Sequence, residues 1–574
     1  MKLLISLLEA VLLLTGAGSA EELAESEFER FEALAAHPVC INLASAGRLR
    51  SCGLFSEYQV ASLQDYRERT GDILSLTELG TVPGFTPELV SALEWFISLE
   101  SYSPAGAREK TRIRQEAMGR MTVKRGSGSQ GDATVAYAGK YHLEAGERAD
   151  LYLSWKPGSA ASGSSAGNPT ASATVYGQRP WKLIAGDYNV RLGQGLLVWD
   201  GFVLGGYPSV ASFRRNASGF SGTGSFTPGR RGLAAAYDGR RWQGSAGVFA
   251  EDGAGGATGS TVGGVGSVGG AVGSASWLGR SGSVGLNALW RRDGSGISLD
   301  WKKAFGHLAT FGEAGCAWCA GAAAGGDGPA GKPSGLAAVV PSVLAGAVWE
   351  PAYKLAISLL GRYRPSADDA GVAAGFQRRW LSLTADLTVH PEKYRLRKNN
   401  YEQVKMILNA APEFSRGGWV LAPALRWTER MQLSPSGDAF QAVWRHDLRC
   451  DLKASRRWLQ TCLRLNGLQT AGYRPGGLAY LEVGYKTPSD TARLQISAYL
   501  RGTVCDTENW TSRIYAYERD LPGSFSVPAW YGRKAGLSLV AGVTCRRRKA
   551  THRLNLRAST RDIKLQYQLR LGRF

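Results

Sequence analysis

The chain of 574 residues reads as mainly β, a transmembrane antiparallel β-barrel of about 18–22 strands preceded by a small all-helical domain. Three observations predict this. Residues beyond Thr111 alternate apolar and polar side chains over long stretches, the 17 Trp and 22 Tyr suit the two interfaces of a bilayer, and the chain closes on an amphipathic strand ending in Phe574. The mean hydropathy of −0.18 agrees with strands that are apolar on one face only.

Residues 1–20 carry one lysine, an apolar run from Leu3 to Leu14 and the small residues Gly18, Ser19 and Ala20, the pattern of a secretory signal. Residues 21–101 read as helices: an acidic amphipathic one over 21–35, then short ones near Ser45–Cys52, Ser56–Thr70, Ser75–Thr81 and Pro87–Leu99. Thr86 serves as an N-cap, with Pro87 at the first helical position. A linker over 102–110 leads to the barrel, 111–574.

The alternation is explicit in several places. Leu381, Leu383, Ala385, Leu387 and Val389 interleave with Ser382, Thr384, Asp386 and Thr388. Leu494, Ile496, Ala498 and Leu500 repeat the pattern, as do Leu537, Leu539, Ala541 and Val543. In the last strand Ile563, Leu565, Tyr567, Leu569 and Leu571 alternate with Lys564, Gln566, Gln568 and Arg570. Tyr567, Leu569, Leu571 and Phe574 form the barrel-closing signal. Phe574 is one residue out of register with the apolar set, which a bulge at Gly572 would restore.

The formal charge of +20 is divided unevenly. Between Glu21 and Glu100 there are 14 acidic and 5 basic residues, and the body after residue 100 therefore carries +29. Arg464, Arg493, Arg501, Lys564 and Arg570 fall on polar faces, so the lumen or a rim is expected to be basic and to concentrate anions.

Little in the sequence points to catalysis. The six His are scattered, and no spacing supports a metal or cofactor. The glycines from Gly264 to Gly269 imitate a dinucleotide motif without its β-then-α context, and the run to Lys332 imitates a P-loop but continues into Pro333. Cys316 and Cys319 have a redox spacing but do not open a helix. Cys450 and Cys462 flank a hairpin yet fall on opposite faces, which argues against a bridge. Two stretches stand out instead. Gly186 to Trp199 is a strand running into two close glycines, Gly193 and Gly195. Arg513 to Trp530 is aromatic-rich and broken by prolines. The first reads as a strand that lets another element approach its backbone, or as a sheet kink; the second reads as an inward-folded or surface loop, or as an interfacial aromatic belt.

The residues Asn42 to Ser45, Leu49, Tyr58 to Arg67, Gly71, Leu76 to Leu79 and Val82 to Thr86 resemble the tandem helix-hairpin-helix units of competence-type DNA-binding proteins. With the alternating body, the chain resembles a family of outer-membrane barrels of Gram-negative bacteria that carry a periplasmic helix-hairpin-helix domain. The resemblance implies no reaction. It implies contact with membrane lipids and lipopolysaccharide, and with the machinery that assembles outer-membrane barrels. In DNA-binding hairpins the turn is Gly-apolar-Gly, its amides facing a phosphate. Here the turns carry Gly53 and Leu54, then Gly84, Phe85 and Thr86, each with a single glycine, in a segment of net charge −9. Phosphate binding is driven by cations. The expectation is therefore a docking domain with Phe85 as its exposed contact, over a core of Phe55, Leu63, Leu79, Leu89, Leu93 and Trp95, on a non-enzymatic channel, translocation or assembly component. DNA binding or uptake is the alternative, and a barrel-embedded enzyme a second one with no motif in its favour.

Overall fold

A computed structural model describes most of residues 38–99 and 113–572, with interruptions chiefly at 125–133, 157–168, 201–206, 251–267 and 319–338. The signal segment, most of the helix expected over 21–35, Trp95, the P-loop imitation, residues 264–267 of the glycine motif, Cys319 and Phe574 lie outside the described residues, while Val268 and Gly269 open a strand.

The body is one closed antiparallel barrel of 24 strands. The expected 18–22 was too low because strands and turns from Ile113 to Leu571 average only about nineteen residues per unit. Many turns at one end are two or three residues long, as at Gly306 and His307, between the strands Ser295–Phe305 and Leu308–Trp318. The long loops gather at the other end.

Closure is made by the last strand, Asp562–Leu571, which pairs in register with the first, Ile113–Lys124, from Lys124 opposite Asp562 to Gln115 opposite Leu571. Every edge is thereby paired. The alternation falls as its period demands. Ile563, Leu565, Tyr567 and Leu571 face out, while Gln566 and Gln568 are buried inward. Gly572 follows with φ +144°, a kink directly after the last paired residue.

Around the barrel the outward band is apolar, with Leu286, Leu299, Leu359, Leu383, Leu481 and Leu537 exposed. Trp181, Trp242, Trp277, Trp349, Trp380 and Trp458 ring the short-turn end, and Trp155, Trp290, Tyr363 and Trp444 mark the other. Two aromatic girdles about an apolar band make the surface that a bilayer requires. Register also sets Cys450 opposite Leu465 and Cys462 opposite Lys453.

The helical segment has its own core. Helix α1 (Glu57–Arg69) starts at a capping box in which the Ser56 hydroxyl accepts from the Gln59 amide and the Gln59 side chain accepts from the Ser56 amide. Helix α2 is Leu76–Leu79, and α3 is Pro87–Leu93, capped by Thr86. The strands Val39–Cys40 and Ile97–Ser98 pair in parallel and tie its ends together. Asn42 bridges the same ends, donating to the Ile73 and Leu99 carbonyls and accepting from the Ile73 amide. Leu49, Phe55, Val60, Leu63, Leu79, Leu89, Leu93 and Phe96 are buried together. Phe85 is buried with them, its ring centroid 6.0 Å from that of Phe55. Phe85 is thus a core residue and not the exposed contact the sequence suggested. A single glycine at φ +89° turns the chain so sharply at Gly84 that the next side chain points back into the core.

Candidate functional site: an occupied lumen

A barrel of 24 strands is wide. With strands roughly 4.8 Å apart and tilted by about 40°, a circular cross-section would measure roughly 48 Å between backbones. Side chains alone do not fill such a width. What occupies it, among the described residues, is chain from two loops of the long-loop end.

The first begins where the strand Trp181–Arg191 ends. The backbone turns inward at Leu192 and doubles back, the Leu192 amide donating to the Val198 carbonyl and the Gly195 amide to the Leu192 carbonyl. Asp200 fixes the return, accepting from the Val190 amide at 2.9 Å and pairing with Arg230. The tip reaches Glu313, six strands further round the barrel. Glu313, fully buried in the strand Leu308–Trp318, accepts from the Gln194 amide at 2.7 Å, the Leu196 amide at 2.9 Å and the Ser298 hydroxyl at 2.5 Å. Gly193 must be glycine: its φ is +55°, and a Cβ there would lie 2.6 Å from a Glu313 oxygen. Gln194 then clasps the end of the segment, exchanging hydrogen bonds with the Arg215 backbone in both directions.

Between these ends the segment carries a 3-10 turn, Val210–Phe213. Val210 and Phe213 are buried on Phe311, Leu344, Val348, Leu360 and Ala373, an apolar patch on the inner wall of the barrel. Burying a side chain such as Val or Phe contributes about 1.5–3 kcal/mol, so this patch is a seat for that turn. Arg362 lies over the Tyr207 ring at 5.2 Å.

The second segment runs from Thr507 to Tyr531 along the inner wall. Glu518 pairs with Arg557 at 2.6 Å, Arg519 with Glu482 at 2.6 Å, and Asp520 with Lys564 at 2.5 Å. Arg501 donates to the Tyr517 carbonyl, and Arg120 to that of Pro522. Ile514, Ala516, Leu521 and Trp530 are buried beneath. Both stretches singled out in the sequence, Gly186 to Trp199 and Arg513 to Trp530, are therefore inward-packing.

Four of the five cations singled out in the sequence are paired. Arg464 pairs with Asp451, Arg501 with Glu482, Lys564 with Asp520 and Arg570 with Glu116, at 2.5–2.7 Å, while Arg493 is exposed outside the strands. These four therefore add less positive charge to the lumen than counting cations alone suggests. Alternation places the acidic side chains on the same inner face, where a buried charge must be paired.

The helical segment lies at the short-turn end. Tyr58 of α1 packs its ring on His307, centroids 4.8 Å apart. Arg214, at the end of the first lumenal segment, donates to the Phe55 carbonyl at 3.1 Å. The turn residues sit close by. A Cβ on Gly84 would lie 2.9 Å from the Tyr58 ring, and the Gly84 carbonyl accepts from the Gln59 side chain. The Phe85 amide donates to Val82, and the Thr86 hydroxyl accepts from Leu89. In the first turn Gly53 takes φ +73° and Leu54 is buried. Arg67 donates inward to the Ala44 and Asn42 carbonyls, and Arg69 pairs with Asp65. The turn groups and these two cations are thus engaged within the protein.

Sequence reasoning found the two segments but not Glu313, which no local pattern distinguishes from other inward carboxylates. The apolar seat did leave a trace: in the strand Leu355–Arg364 both parities are apolar at Leu359 and Leu360.

No protein-family profile matches the chain, and no curated protein matches it in sequence. Among solved structures it is similar to the P pilus usher (PapC) translocation pore, with 11% identity over 80% of this chain and 99% of that one, at a TM-score of 0.35. Similar matches are Pseudomonas aeruginosa OccK8 (OprE), at 8% identity, 80% and 98% coverage and a TM-score of 0.29, and a BenF-like porin from Pseudomonas fluorescens Pf-5, at 8%, 82% and 100%, also 0.29. Likeness of this degree says nothing of cargo or reaction.

Proposed function

We propose that the chain is a non-enzymatic outer-membrane conduit, a channel or translocation component that is closed at rest by its own lumenal segments. The observation that carries this reading is the seat built for residues 192–215: a buried carboxylate that accepts two of the segment's amides, and an apolar patch on the inner wall that receives Val210 and Phe213. A barrel without traffic has no need of such a filling. The helical segment is the docking element at the periplasmic mouth. Its contact is not Phe85 but the start of α1, through Tyr58 and the Phe55 carbonyl. Tethered through the 102–110 linker, it stays at high effective concentration there.

The same contacts weigh against the DNA alternative. The turn that would grip a phosphate lies beside Tyr58, which itself packs on the barrel turn, and the segment is acidic. The test has two arms. Cysteines in place of Tyr58 and His307 should crosslink in intact cells under oxidation. The purified full-length protein should not retard duplex DNA at about 0.15 M salt. Tight, salt-sensitive DNA binding without the crosslink would refute the docking reading.

A further inference from the structure

The first lumenal segment leaves the wall at the long-loop end, and the helical segment lies at the short-turn end. Arg214 of the one nevertheless donates to the Phe55 carbonyl of the other at 3.1 Å, across 159 residues of sequence. The lumenal segment therefore reaches through the barrel from one end to the other. The position of its apolar seat brings it there. Ala356 stands next to the start of the strand Leu355–Arg364, and Val348 close to the end of the strand before it, Val339–Ala352, so the seat borders a short turn.

One strand and the turn before it touch both elements. His307, in the turn, carries the Tyr58 ring, and α1 lies against the strands Ser295–Phe305 and Leu308–Trp318. In the second of these strands Phe311 belongs to the apolar seat, and Glu313 accepts the Gln194 and Leu196 amides. Arg214 is fixed from both sides. Phe213 before it is buried in the seat, and the backbone of Arg215 after it is clasped by Gln194. The acceptor is fixed too, because the Phe55 ring is packed on Phe85 in the helical core and the capping box begins at Ser56. Lifting the segment off its seat carries Arg214 away, and a donor more than about 3.5 Å from its acceptor no longer bonds.

We propose that the helical segment is a latch on the lumenal filling: docked on His307 it holds Val210 to Arg215 on their seat, and its undocking releases them. The latch rests on the closed-conduit reading and adds what controls it, since under that reading release opens the lumen from the periplasmic mouth. Two elements that share a bond stabilise each other equally in both directions. A hydrogen bond from a charged donor is stronger than a neutral one, so the coupling is on the order of tenfold. A contact at the mouth is within reach of the periplasm, whereas Glu313 is fully buried.

The experiment uses full-length protein in proteoliposomes and follows efflux of a small trapped dye. Its variants leave Glu313 and the apolar seat untouched. The Tyr58→Ser, His307→Ala double variant removes both rings of the docking contact and touches no residue of the filling. Arg214→Ala removes the shared bond. Efflux should rise severalfold in the first and roughly tenfold in the second, with unchanged heat-shifted mobility. A second arm reads docking itself, as the rate at which a Tyr58→Cys, His307→Cys pair crosslinks under oxidation, with each single cysteine variant as the control for native thiols. That rate should fall severalfold when residues 193–215 are replaced by a Gly-Ser linker. The linker variant also separates the latch from the reading beneath it. If it leaks while either of the other two variants leaks no more than the parent, the latch is overturned and the closed conduit stands. If it leaks no more than the parent, the closed-conduit reading fails and crosslinking alone decides the latch, a slower rate upholding the bond between the two segments. An unchanged crosslinking rate overturns the latch in either case.

Discussion

Replacing Glu313 by alanine should make the barrel leak. The carboxylate holds residues 192–215 through two backbone amides, those of Gln194 at 2.7 Å and Leu196 at 2.9 Å. A hydrogen bond to a charged group nets about 1.5–3 kcal/mol, so the pair sets a range of about 3–6 kcal/mol. Water in the lumen will resolvate the freed amides, which favours the lower end. About 3 kcal/mol shifts the balance of seated and released segment by roughly 100-fold. Both amides donate to the same Glu313 oxygen, so Glu313→Gln with its carbonyl oxygen in that place keeps both bonds but loses their charge, about half of that free energy, and should shift the balance roughly tenfold. The barrel itself should survive, because removing a buried carboxylate also removes its desolvation cost. The assay is efflux of a small trapped dye from proteoliposomes, with gel mobility before and after heating as the check that the barrel has formed. The order of leak rates should be alanine, then glutamine, then parent. Equal and negligible efflux from all three folded proteins would refute the claim that Glu313 holds the segment.

Three further outcomes follow from the same contacts. Phe213→Asp should release the 3-10 turn from its apolar seat at a cost of about 3–5 kcal/mol or more, raising dye efflux without altering heat-shifted mobility, because Phe213 belongs to the filling and not to the wall. Deleting residues 562–574 removes the partner of Ile113–Lys124 and leaves two long edges unpaired, so the truncated chain should fail to give a heat-modifiable band in outer-membrane fractions. In the helical segment, the Leu74 amide, followed by the Tyr66 hydroxyl, holds the Glu78 carboxyl below its ordinary value of 4.5. Its contribution is therefore fully present above pH 4.5 and lost as the pH falls through the lower folded value. Circular-dichroism melts of the excised 34–101 segment should show stability falling as the pH drops below about 4.5, with a smaller fall in Glu78→Gln.

Much of this architecture was legible in the sequence. Period two in Leu381–Val389 and Ile563–Leu571 fixed which side chains face outward, because successive strand residues must point to opposite faces. Thr86 and Pro87 marked the start of α3, and the helix expected over Ser56–Thr70 is α1. The strand count was missed because turn length is set by local backbone geometry, and two-residue turns such as Gly306–His307 leave little compositional trace. Phe85 was misplaced for a related reason: that the turn at Gly84 reverses the chain is visible in the sequence, but which way the next side chain swings is not. The pairing of the lumenal cations was not legible because it depends on register between strands. Arg464 meets Asp451 across thirteen residues and Arg570 meets Glu116 across more than four hundred, and only the closed barrel brings the latter pair together.

The central claim is that residues 192–215 close the lumen, and single-channel recording in planar bilayers tests it most directly. Full-length protein is compared with a variant in which residues 193–215 are replaced by a short Gly-Ser linker. The parent should be silent or pass rare small currents, while the variant should show a large, steady conductance, as expected of a lumen freed of that segment. A parent that already conducts as much as the variant would contradict the claim.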